Sequence, residues 1–113
     1  MQLILLKSKI HMAKVSDTQV YYEGSIAIDK KLMAASGMVK GEKVLVIDFN
    51  NGNRFETYVI EGDDGEISLK GPAAKLCKKN DKVIIMAFGL VEESQAKSFK
   101  AKVVHVNDRN EIK

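Results

Sequence analysis

A small, mainly β domain closed into a barrel is the fold class that the sequence predicts, on three observations. Glycine and proline punctuate the chain at short intervals, and the stretches between them are short and rich in Val, Ile, Leu and aromatic residues. There is no repeat, heptad or low-complexity segment. At 113 residues, 45% hydrophobic and 29% charged, the chain holds enough apolar surface for one core and too much for a disordered tail. Closing the sheet removes the exposed strand edges that endanger small β proteins.

Leu3 to Val15 reads as one long strand or two joined strands, and Val20 to Ile28 as another, interrupted at Gly24-Ser25. Asp29 to Ser36 reads as a short helix, with Asp29 as N-cap, an alanine-containing body and Gly37 as its stop. Lys43 to Phe49 and Phe55 to Ile60 flank Asn50-Asn51-Gly52-Asn53, a turn signal that pairs them as a hairpin. Gly62 to Gly65 turns the chain into a strand at Ile67 to Leu69. Pro72 suits the first turn of a short helix running through Cys77, because its missing N–H has no intrahelical partner there. Lys82 to Leu90 is an apolar, central strand; Glu92 to Ser98 gives a helical turn or two, followed by a strand at Lys102 to Val106 and a polar tail. The sum is a single domain over residues 1–113 with six or seven strands and two or three short helices.

Eighteen basic against fifteen acidic residues leave a net charge of +3, too little for a dedicated nucleic-acid binder. Only Arg54 and Arg109 are arginines, and the lysines read mostly as solvated surface. The opening MQLILLKSKI brings lysines too early for a secretory signal, and no apolar run approaches the roughly 20 residues needed to span a bilayer. A cytoplasmic protein without nucleic-acid or membrane partners is expected. A domain of this size buries a limited share of its surface, which favours further burial between subunits.

The familiar zinc, phosphate-loop and serine-hydrolase motifs are missing, and His11 and His105 are far apart, so no metal site is expected. Cys77 cannot form an internal disulfide; nearby lysines could lower its pKa, but a small buried hydrophobe is the favoured reading. The Gly24-Ser25 pair inside a strand-like stretch marks a bend or bulge. It also suits an acyl shift, in which a serine hydroxyl attacks the preceding carbonyl across a distorted peptide. The pair alone leaves both readings open.

The wider pattern goes further. Tyr22-Glu23-Gly24-Ser25 with Ala27-Ile28-Asp29, then Asn51-Gly52-Asn53-Arg54-Phe55-Glu56-Thr57-Tyr58 and Gly71-Pro72-Ala73-Ala74, closely resembles the pyruvoyl-dependent aspartate 1-decarboxylase family. The likeness runs in order from Lys9-Ile10-His11 to Val83-Ile84-Ile85. It implies a double-psi β-barrel assembled as a homotetramer with active sites between subunits. It implies a zymogen that cleaves itself between Gly24 and Ser25 into residues 1–24 and 25–113, converting Ser25 into a covalent pyruvoyl group. That group would stand in for PLP, forming a Schiff base with L-aspartate and accepting the electrons left by CO2, to yield β-alanine for pantothenate biosynthesis. Maturation with the help of a partner protein stays open.

The same resemblance assigns residues. Arg54, whose planar fork suits a carboxylate, and Lys9 would bind substrate, with Lys7 as a rival of the same strand parity. Without the resemblance, Arg54 would read as half of a surface ion pair. Tyr58, on the same strand face as Arg54, would be the proton donor. Thr57, facing the other way, would stabilise the oxyanion of self-cleavage and touch substrate, although it is also simply a good strand former. Tyr22 and His11 would position the scissile segment, and the Gly71-Pro72-Ala73 loop would contact substrate or the pyruvoyl group. Two departures stand in that loop: Lys70 replaces the family's Asn, and Pro72 removes a backbone donor. Two alternatives remain: a non-catalytic barrel related to swapped-hairpin DNA-binding modules, and a pyruvoyl decarboxylase for another amino acid. Arg54 favours a dicarboxylic substrate, since an apolar one would strand its charge.

Overall fold

The computed structural model describes residues 1–113. The strands are β1 (Gln2–Lys14), β2 (Asp17–Gln19), β3 (Ser25–Asp29), β4 (Lys43–Asp48), β5 (Arg54–Gly62), β6 (Ile67–Lys70), β7 (Lys82–Glu92) and β8 (Lys102–His105). They form one eight-stranded sheet in the order β2-β6-β3-β5-β4-β7-β1-β8. The first ribbon closes it. β1 lies antiparallel to β7, and after a short bend β2 lies parallel to β6 at the far end of the sheet. In the bend, Val15 N–H bonds to Asp81 O at 2.9 Å and Ser16 N–H to Ile67 O at 2.8 Å. The Ser16 hydroxyl also donates to Ile67 O at 3.1 Å and accepts the Ile67 N–H at 3.0 Å. One bent ribbon thus runs from β1, one strand in from the β8 end, to β2 at the other end, giving the mainly β, barrel-like fold expected.

Alternation along the strands decides what fills the barrel. On β4, Val44, Val46 and Asp48 are buried while Lys43, Leu45 and Ile47 face outward. Ile10, Ile28, Val46, Val59, Leu69 and Ile85 are completely buried. Helix α1 (Lys30–Ser36) begins where Asp29 Oδ1 accepts the Lys31 N–H at 2.7 Å and ends at Gly37 with φ 76°. The other Asp29 oxygen accepts the Gly65 N–H at 2.7 Å, tying the helix start to the β5–β6 turn.

Four local expectations need correction. The strand expected from Val20 begins only at Ser25, because β6 already carries β2 on one edge and β3 on the other. Gln19 and Ser25 are both in register with Lys70, so Val20 to Gly24 must cross over the end of β6 and has no strand to pair with. The helix expected through Cys77 is a 3-10 segment, Gly71–Lys75, since Cys77 is drawn into the core and the chain turns back at Asn80 with φ 78°. The strands number eight, not six or seven, because Asp17 to Gln19, between two expected strands, pairs with β6 as a strand of its own. The polar tail is folded: Asn110 is buried, its Oδ1 accepting Lys14 N–H at 2.7 Å and its Nδ2 donating to Lys14 O at 2.8 Å and Gly65 O at 3.0 Å. Its amide satisfies both backbone groups of Lys14, as a neighbouring strand would.

Candidate active site

Strand β5 sorts its side chains by parity. Arg54, Glu56 and Tyr58 are exposed, Phe55 and Thr57 half-buried, and Val59 buried. Arg54 and Tyr58 therefore share the outer face, about 13 Å apart along the strand, and Thr57 turns toward the interior, as their spacing predicts. Six ion pairs are formed, and Arg54 is in none of them. The surface ion-pair reading of Arg54 falls away, leaving a guanidinium free for an external carboxylate.

Ser25 is 3% exposed and opens β3. On one side it is in register with Lys70 of β6. On the other, β3 runs parallel to β5 from the pair Ile26 and Val59, so one step upstream on each strand lie Ser25 and Tyr58. Ser25 thus stands one residue before the point where β3 and β5 pair, at the level of Tyr58 on β5.

Gly71 presses on this peptide from the end of β6. Its φ is +81°, and a Cβ there would lie 2.7 Å from Gly24 Cα, 2.9 Å from Gly24 N and 2.9 Å from Tyr22 O. Both the left-handed backbone and the missing side chain are needed at this position. At Gly24 neither is: its φ lies outside the left-handed range, and a Cβ there would meet nothing within 4 Å. The glycine that matters for the shape of this segment is Gly71, and the sequence pair drew attention to its neighbour. Pro72 is exposed and Ala73 half-buried in the 3-10 segment that follows.

Lys70 Nζ donates to Gln19 Oε1 at 2.8 Å and lies 4.6 Å from the centroid of the Tyr22 ring. These contacts escaped sequence reasoning, which treated Lys70 only as a departure. The pairing of β6 with both β2 and β3, which brings Gln19 and Tyr22 to it, has no local signature.

Lys9 and His11 lie elsewhere on the subunit. Lys9 is in register with Met86, Met86 with Leu45, and Leu45 with Glu56, which places it three strands, roughly 14 Å, from β5. Lys7 sits where the β1–β7 register slips, and its ammonium pairs with Glu42. Lys9 belongs to no ion pair and is the freer of the two cations. His11 meets His105 edge to face at 5.6 Å, and its buried Nδ1 has no partner. Burial first, then Lys9 and His105, holds its imidazole below its usual pKa of 6.5.

A second titratable cluster lies at the opposite end of the β4–β5 hairpin. Asp48 is fully buried, and its Oδ1 accepts the N–H groups of Asn50 at 2.8 Å and Asn51 at 3.2 Å. Its Oδ2 receives no donor. Burial, and then a hydrogen bond with Asp81, pushes the Asp48 carboxyl up, while the same bond holds Asp81 low. A proton on Asp48 Oδ2, donated to Asp81, satisfies both groups. Strand parity with Val44 and Val46 was the signal that could have revealed this buried acid. Burial, with Asp48 and Asp81 adding to it, pushes the Cys77 thiol up to about 12, so the lysine-lowered reading of Cys77 does not hold.

No three His, Cys, Asp or Glu side chains are grouped to hold a metal. A cleft of about 620 Å³ lies between Met12, Lys82 and the C-terminal segment Val106 to Arg109 and Lys113, and contains none of the expected site residues. Gly71 packs against Gly24 and the Tyr22 carbonyl, and Ser25 opens the strand that runs beside β5 just past Tyr58; Lys9 lies three strands away and His11 beside His105.

The family model described as aspartate decarboxylase matches residues 1–113. The aspartate 1-decarboxylase of Clostridium botulinum (strain Alaska E43 / Type E3) is 51% identical over 115 residues, covering 100% of this chain and 93% of the relative. That of Chlorobium chlorochromatii (strain CaD3) is 50% identical over 100% of this chain and 89% of its own length. That of Carboxydothermus hydrogenoformans is 50% identical over 99% of this chain and 90% of its own.

Proposed function

The chain belongs to the aspartate decarboxylase family, and on that premise we propose that it decarboxylates L-aspartate at C1 to β-alanine, in pantothenate biosynthesis, with a ketone made from its own backbone. Family membership removes the non-catalytic DNA-binding alternative. What supports self-cleavage is the placement of the Gly24–Ser25 peptide: buried at the start of β3, pressed by Gly71, and beside Thr57 and Tyr58.

In the first step Ser25 Oγ adds to the Gly24 carbonyl carbon, and the Thr57 hydroxyl stabilises the resulting oxyanion. The C–N bond breaks, leaving a free amine on residue 25 and the Gly24 acyl group on Oγ as an ester. Loss of the residue 25 α-proton and cleavage of its Cβ–Oγ bond release the Gly24 carboxylate. The enamine left behind takes up water and expels ammonia, leaving the pyruvoyl group. Tyr22 positions the segment throughout, with His11 as a further positioning group. The two fragments stay associated, because β1 and β2 of the first pair with β7, β8 and β6 of the second.

The pyruvoyl ketone supplies the electron sink on which departure of CO2 depends. Arg54 binds a substrate carboxylate through its fork, and Lys9 supplies a second cation. Tyr58 delivers the proton to the former α-carbon. The loop Gly71-Pro72-Ala73 offers backbone carbonyls, and the N–H groups of Gly71 and Ala73, to the bound group; Pro72 offers no N–H.

In this reading the site is completed by a neighbouring copy within a homotetramer. Lys9 stands three strands from Tyr58 in one subunit, and Ile4, Phe88 and Leu90 leave an apolar outer surface exposed. No helix is long and apolar enough to cross a membrane, and a cytoplasmic location is part of the same reading. A partner that promotes maturation is compatible with it.

Intact mass after denaturation tests the proposal. Two species are expected, one ending at Gly24 and the other beginning with a pyruvoyl group, blocked to Edman chemistry and reactive toward carbonyl reagents. A chain that stays whole both alone and in cell extract would overturn it.

A further inference from the structure

The segment that carries the scissile bond has little to hold it. From Val20 to Gly24 there is one internal backbone bond, Tyr22 N–H to Val20 O at 3.0 Å. Tyr21 is 100% exposed and Tyr22 62% exposed. What fixes the segment is the end of β6. Lys70 is in register with Gln19 before the crossing and with Ser25 after it. Its ammonium binds the Gln19 amide at 2.8 Å and sits 4.6 Å from the Tyr22 ring, while the next residue, Gly71, packs on Gly24 and the Tyr22 carbonyl.

On the strength of the self-cleavage reading above, we propose that Lys70 is a positioning residue for maturation: its ammonium grips the Tyr22 ring and the Gln19 side chain, holding the crossing segment down on Gly71 so that the Gly24–Ser25 peptide keeps one conformation. Lys70 works through the segment and takes no proton and forms no bond in the reaction. An ammonium over an aromatic face is attracted to its quadrupole, and the pull needs both the charge and the ring. Because the grip acts before cleavage, it sets how fast the chain matures and leaves the turnover of each matured site unchanged. The Lys70 departure is, in this light, a compensating contact for an exposed segment.

The test follows cleavage of the full chain over time by intact mass, with activity counted per cleaved chain. Lys70→Met, which keeps the stem and loses the charge, should slow cleavage roughly five- to fiftyfold, the scale of an exposed cation–aromatic contact plus one hydrogen bond. Lys70→Arg should restore it, and Tyr22→Phe, which keeps the ring, should cleave near the parent rate. Tyr22→Leu should be slow, and adding it to Lys70→Met should slow cleavage little further, because the ring contact is already lost in Lys70→Met. Activity per cleaved chain and melting temperature should be unchanged in Lys70→Met; Lys70→Gln repeats the test if that variant does not fold. Cleavage of Lys70→Met at the parent rate, failure of Lys70→Arg to rescue it, or full additivity with Tyr22→Leu would overturn the proposal and leave self-cleavage standing. A parent chain that never cleaves would overturn the underlying reading itself.

Discussion

The two turns that flank the candidate site are built on opposite principles. The β4–β5 turn is held by its own residues: Asp48 Oδ1 takes the N–H groups of Asn50 and Asn51, Asn51 Oδ1 takes that of Asn53, and Gly52 N–H bonds to Asp48 O. Three side-chain amides reach outside: those of Asn51 and Asn53 donate to Leu76 O, both at 3.1 Å, and Asn50 Oδ1 accepts the Lys82 N–H at 2.8 Å. The Val20–Gly24 crossing has almost nothing of its own and is held by Lys70 and Gly71, some fifty residues further along the chain. A self-sufficient turn makes a rigid mount for Arg54. A segment fixed from outside can change once its backbone is cut, as the proposed maturation requires.

The sharpest way to break this comparison is to disturb the crossing. Ser25→Ala should fold with a melting temperature close to the parent's, remain whole and show no turnover above background. Gly71→Ala should also fail to mature, since its Cβ would fall 2.7 Å from Gly24 Cα on a backbone with φ +81°. Gly24→Ala, which meets open space, should cleave within roughly tenfold of the parent rate. Equal loss in the two glycine variants, measured by intact mass, would show that Gly71 is not what shapes the segment.

On the rigid side, Arg54→Lys should leave cleavage intact and lower kcat/KM roughly 10- to 100-fold, the worth of one or two charge-assisted hydrogen bonds. Removing the turn's anchor should act on stability. Asp48→Ala should cost about 2–3 kcal/mol in denaturant unfolding, because two N–H groups lose their acceptor, with maturation unaffected.

The pH dependence of that anchor sharpens the point. The Asp48 carboxyl titrates above its usual 3.8 in the folded chain, so its contribution is full below that value and is lost as pH rises through the raised one. Asp81 runs the other way: held below 3.8, it contributes above that value and loses its contribution as pH falls. Asp48→Asn keeps an acceptor for the turn and a donor for Asp81 without a second charge. Its melting temperature should therefore gain on the parent's as pH rises from about 4 toward 7. The smallest effect belongs to His11. Held below 6.5, its neutral form is favoured on folding, so parent stability should fall relative to His11→Gln as pH drops through 6.5.

What was legible in the sequence follows the same division. The Asp29 cap, the Gly37 stop and the Asn50 to Asn53 turn are settled by residues within a few positions of one another, and all formed where the sequence puts them. The face shared by Arg54 and Tyr58 is fixed by the two-residue period of a strand. The tyrosine pair at Tyr21 and Tyr22 also favours a strand by local preference, and none formed, because both edges of β6 are taken. Asn110 looked like tail and became the clasp on Lys14, nearly a hundred residues away.

By itself, the sequence determined the elements whose stabilising partners are close along the chain: the helix with its caps, the β4–β5 hairpin, and which side chains share a face of β5. Tertiary structure alone decided that the chain crosses the end of β6 at Gly71, that Lys70 reaches Tyr22 and Gln19, and that the buried Asp48 meets the half-buried Asp81. The reason is physical: a cap or a turn is a local hydrogen-bond problem, whereas which strand edges remain free is known only after every other strand has paired.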